Sequence, residues 1–163
     1  MPKSSGTLAW LLPLATDWIE GAMPEFQLEL GSDKAAKRYK ALDPFTRGYI
    51  EAMFFTDTGD RDDEGLENVA VCNLSSEAWG SITKDCAVFQ KLNAELLERA
   101  YSDGYDSEKA GRDFWYTRNG HGVGFWDRGL GEIGVALSET CGWKTKFGEL
   151  DLYLGDDGQI YLS

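Results

Sequence analysis

His121 is the only histidine in the chain, and it stands inside the stretch D-F-W-Y-T-R-N-G-H-G-V-G-F-W-D-R-G, residues 113–129. An imidazole titrates near neutral pH, so it is the side chain here best suited to pass a proton. General acid–base work also needs an orienting group, and Asp113 and Asp127 are near enough in sequence to supply one. Arg118 and Arg128 compete for the same carboxylates. No G-x-S-x-G or comparable nucleophile motif accompanies the histidine. Asp–Arg pairing, with His121 decorating a turn, is therefore the reading preferred over catalysis.

Other chemistry has weaker support. Cys86 follows Asp85 but falls in phase with Ile82 and Phe89, which makes it a buried small hydrophobe rather than an activated thiolate. Asp60, Asp62, Glu64 and Gly65 match the first, third, fifth and sixth positions of a calcium loop, yet Val71 occupies the twelfth, where a bidentate glutamate is required. One histidine and scattered Cys72, Cys86 and Cys141 form no zinc spacing. Neither a phosphate-binding loop nor a dinucleotide fingerprint is present. The expectation is no metal and no cofactor.

The elements that must position these residues read as follows. Phe114-Trp115-Tyr116 and Phe125-Trp126 flank a glycine-alternating centre, which predicts two strands joined at Asn119-Gly120. Adjacent strand residues face opposite ways, so one ring of each pair belongs to the core and the other to the surface. Exposed rings at Trp115 or Trp126, with Arg118, His121 and Arg128, would then form a protein-binding patch. Upstream, residues 33–42 read as a basic helix, and Asp43-Pro44 supplies a cap and first-turn proline for a second helix to about Phe55. Ser75 caps a long helix predicted to reach Tyr101, followed by a turn-rich loop over 101–112. Residues 130–140 read as helix. Alternating leucines at 150, 152 and 154, the turn Asp156-Asp157-Gly158, and then Ile160 and Leu162 predict a terminal hairpin. The sum is α+β, helices packed on a small antiparallel sheet built from C-terminal hairpins, in one domain over 1–163.

Charge constrains the partners. The formal net charge is −12; residues 1–50 hold six groups of each sign, so the whole acidic excess lies after them. Six acids fall within 57–67 alone, at Asp57, Asp60, Asp62, Asp63, Glu64 and Glu67, against a single Arg61. This field disfavours direct binding of duplex nucleic acid or anionic lipid and suits a basic partner. The apolar run at 8–15 is too short to span a bilayer, and three cysteines without a C-x-x-C pair fit a reducing compartment.

The stretch W-Y-T-R-N-G-H-G-V-G-F-W-D-R-G, followed by F-G-E-L-D-L-Y-L-G-D-D-G-Q-I-Y, resembles a family of small, largely uncharacterised proteins encoded by bacteriophages and prophages. L-D-P-F-T-R-G-Y-I-E-A and D-C-A-V-F are similar to that family as well, so the resemblance covers about residues 42–162. It implies an accessory protein in the cytoplasm of an infected bacterium, where acidic phage proteins block host defence nucleases. The resulting expectation is a non-enzymatic inhibitor of a restriction or CRISPR effector, with acidic faces at 57–67 and over Glu149 to Asp157, Asp156 included, occupying a basic groove as DNA would. The alternative is a small phage enzyme using His121 with Asp127 or Asp113 on a nucleotide or metabolite.

Overall fold

Helix starts are written plainly into this chain. Ser32, Asp43, Ser75 and Asp106 each accept a hydrogen bond from a backbone N–H of the turn that follows, at 3.1, 3.3, 3.0 and 2.7 Å. The computed structural model describes residues 26–58 and 65–163, and these contain α1 (Asp33–Lys40), α2 (Pro44–Asp57), α3 (Ser76–Leu92), α4 (Ala94–Ser102), α5 (Ser107–Arg118) and α6 (Glu132–Glu139). Short 3₁₀ turns lie at Val71–Asn73 and Phe125–Asp127. Strands β1 (Leu152–Leu154) and β2 (Ile160–Leu162) pair antiparallel with Leu152 opposite Leu162. The architecture is α+β, as the sequence predicts.

Two elements differ from expectation. The long helix after Ser75 breaks at Asn93, whose backbone leaves helical geometry and whose amide donates to the Phe89 carbonyl at 3.1 Å. Leu92 consequently points outward, 63% exposed. The larger correction concerns residues 113–129, which do not form a hairpin. Asp106 starts helix inside the predicted 101–112 loop, and α5 carries Asp113, Trp115 and Arg118 to its end. The Asn119-Gly120 pair is a helix stop: Gly120 takes φ +66° and donates to Thr117, and His121 N–H donates to Tyr116 at 3.1 Å. That is the two-bond closure typical of a helix C-terminus.

Helices α2 and α5 form the central pair. Gly48 on α2 meets the Glu108 backbone, and Gly111 on α5 meets the Phe45 backbone, so closely that a methyl group at either would collide with a carbonyl. Close approach packs Phe45 and Tyr49 against Phe114 and Trp115. Phe89 from α3 completes the cluster, stacked 4.1 Å from Phe114, with Phe125 and Phe147 at 5.8 and 5.5 Å. Each ring pair adds about 0.5–1.5 kcal/mol beyond area burial. The hairpin docks on the start of α3, where the Ser75 N–H donates to the Ile160 carbonyl at 3.0 Å.

Candidate functional site

Three internal polar clusters take up many of the residues with chemical potential. Arg118 is 3% exposed and donates to Asp85 Oδ2 at 2.9 Å, to Tyr49 Oη at 3.0 Å and to the Gly148 carbonyl at 2.9 Å. It ties α5 to α2, to α3 and to the segment leading into the hairpin. Arg128 grips Asp113 through Nε and Nη2, with the shortest contact at 2.7 Å, while the Tyr105 hydroxyl donates to the same carboxylate. Burial pushes the Asp113 carboxyl upward, and the guanidinium and the tyrosine hydroxyl pull it back. Asp113 and Arg128 are thus committed to each other, as the preferred reading of the sequence had them, although the contact runs from helix to loop rather than across a hairpin.

The third cluster corrects the partner expected for the histidine. His121 Nε2 stands 3.8 Å from Asp57 Oδ1, on the last turn of α2, and not beside Asp113 or Asp127. Asp127 instead accepts from the Gly124 N–H at 3.1 Å. Asp57 is only 4% exposed, and its Oδ1 is 2.8 Å from the Thr56 hydroxyl, which accepts from Trp115 Nε1 at 2.8 Å. A chain of polar contacts therefore runs from Trp115 through Thr56 to Asp57, with His121 at its outer end. Sequence reasoning named Asp57 only as a surface acid. The 64-residue separation of Asp57 and His121 hides their contact from any local reading.

The residues named for docking separate by burial. Trp115 is fully buried, Arg118 and Arg128 serve internal carboxylates, and Asp57 faces inward, so none of them offers a surface to a partner. Trp126 is 45% exposed. Glu67, Asp156 and Asp157 are exposed as well. Asp60, Asp62, Asp63 and Glu64 lie outside the described residues. Two further exposed residues went unread: Trp143, 81% exposed, and Tyr153 of the hairpin, 47% exposed.

That hairpin carries a distinct face. Tyr153 and Tyr161 stack across the strands with ring centroids 5.6 Å apart, and Tyr161 Oη donates to Asp157 Oδ2 at 2.7 Å. This bond pushes the Tyr161 hydroxyl up to about 12 and holds the Asp157 carboxyl below its ordinary range. Leu154, 36% exposed, lies near Gly65, two residues before the last acid of the run; a methyl group on Gly65 would stand 3.3 Å from it. The exit of the acidic segment and the acidic turn of the hairpin thus flank one strand.

Cys86 lies buried in α3, and burial pushes its thiol well above the usual range, which removes it as a nucleophile. Among the described residues, no group of three His, Cys, Asp or Glu side chains gathers to hold a metal ion, and no helix is long and apolar enough to cross a membrane. Compared with protein-family models, with curated proteins and with solved structures, the chain matches none.

Proposed function

We propose that this chain is a bacteriophage accessory protein that binds a basic surface of a bacterial nucleic-acid-processing defence machine and inhibits it in the host cytoplasm. The observation that carries the reading is the proximity of Gly65 to Leu154, which brings a point two residues before exposed Glu67 near the strand that leads into the exposed Asp156-Asp157 turn. Carboxylates gathered on one face would raise the potential a cationic groove meets, steering encounter more than adding affinity. Tyr153, stacked on the Tyr161 ring whose hydroxyl bonds Asp157, supplies a flat, half-exposed ring on the hairpin, the kind of residue that anchors protein interfaces. Purified protein added to a restriction or CRISPR effector of the host should suppress DNA cleavage at stoichiometric ratio. Undiminished cleavage by effectors of both classes would remove the proposal.

A second reading, an enzyme acting on a nucleotide or metabolite, is favoured by the placement of His121 next to buried Asp57. In it the imidazole exchanges the proton, and Asp57, itself braced by Thr56, orients the ring. For any substrate that the wild type turns over, His121→Gln should abolish turnover with unchanged thermal unfolding. Full turnover by that variant discards the reading.

A further inference from the structure

A cavity of about 190 Å³ opens between α1 and the first turn of α3, and its wall differs in charge from the rest of the molecule. Lys34 and Arg38 line it together with Ser32, Ser76, Cys72 and Trp79, and no carboxylate does. In a chain with 28 acidic side chains against 16 basic ones, a concavity carrying two cations and no anion is a local reversal. Asp33 and Glu77, the nearest acids in sequence on each helix, are absent from the wall. Neither cation has an ion-pair partner among the described residues. The two stand one helical turn apart, four positions along α1, where like charges repel.

The head group of Arg38 is already placed: its guanidinium carbon lies 4.1 Å from the centroid of the Trp79 ring, which is itself 4% exposed. Ser32 and Ser76 bring the N-terminal residues of two helices to the same wall, adding hydroxyl donors and positive helix ends to the cations. Cavities that enclose whole nucleotides or drug-sized ligands usually exceed about 300 Å³. With Trp79 buried beneath Arg38, no open ring is left to stack a base. We propose that this cavity binds a small phosphate, either free or as the phosphoryl end of a compact monoester.

The test titrates the full chain at low ionic strength with inorganic phosphate and, separately, with phenyl phosphate, followed by calorimetry. One saturable site is expected. Binding of inorganic phosphate identifies the free anion as ligand, and binding of phenyl phosphate alone identifies an esterified phosphoryl group. Lys34→Gln with Arg38→Gln should weaken binding at least tenfold, whereas Lys37→Gln with Lys40→Gln, an equal charge change on the same helix away from the cavity, should not. Because Cys72 is exposed on the wall, the bound anion should also slow its alkylation by neutral iodoacetamide in the unmutated protein. Absence of saturable binding by either anion overturns the proposal, and so does equal loss in the two double variants.

Discussion

At the scale of single residues, the polar groups that look most reactive in the sequence are those the fold has used up. Asp113 is 1% exposed and its partner Arg128 has a side chain 3% exposed, so removing the carboxylate takes the short, bidentate contact from a buried guanidinium and leaves Asp127 3.9 Å away. Asp113→Ala should cost about 3–5 kcal/mol, the range for breaking a buried pair from one side, read as a fall in urea midpoint. A loss below about 1 kcal/mol would mean that water reaches Arg128. The cysteines separate on the same basis. Burial pushes the Cys141 thiol up to about 12 and raises that of Cys86 well above its ordinary value, while Cys72 is exposed. At pH 8 the native protein should react with one equivalent of a thiol reagent, at Cys72, and release the other two only on unfolding; rapid reaction of all three contradicts this packing.

At the scale of elements, legibility follows the locality of the signal. Caps at Asp43 and Ser75 and the turn at Asp156-Asp157-Gly158 are local, and each element they announce is present. The stretch 113–129 misleads because Asn-Gly punctuates a hairpin and a helix end equally well. One local signal favoured the helix, Asp106 as a cap; burial on nearly every side of α5 between Ala110 and Arg118 leaves no single stripe to read. Aromatic residues prefer strands, but packing of an apolar face outweighs that preference once α2 is alongside. Glycine at positions 48 and 111 permits that contact, and its role is invisible without the partner helix. Gly111→Ala should therefore destabilise the protein by about 1–3 kcal/mol through overpacking against backbone, although alanine favours an isolated helix. Thermal unfolding decides it, and an unchanged or raised midpoint would show that α2 and α5 are less closely packed.

At the scale of the whole molecule, charge is the property that sequence states most directly and structure refines. The −12 balance is read from composition, but which acids form a face is not. Asp57 turned inward toward Thr56 and His121, whereas Asp156 stays exposed in the hairpin turn. The same resolution uncovers a cationic cavity at Lys34 and Arg38 that the overall balance conceals. Electrostatic docking acts chiefly on association and weakens as salt shortens the Debye length to about 8 Å at physiological strength. The most direct measurement is the association rate between this protein and a basic effector of the class proposed above, taken across a salt series, for the wild type and for a variant with Asp60, Asp62, Asp63 and Asp156 changed to Lys. Association of the variant should be at least tenfold slower at low salt, with the difference closing as salt rises. Equal rates at low salt would contradict electrostatic docking.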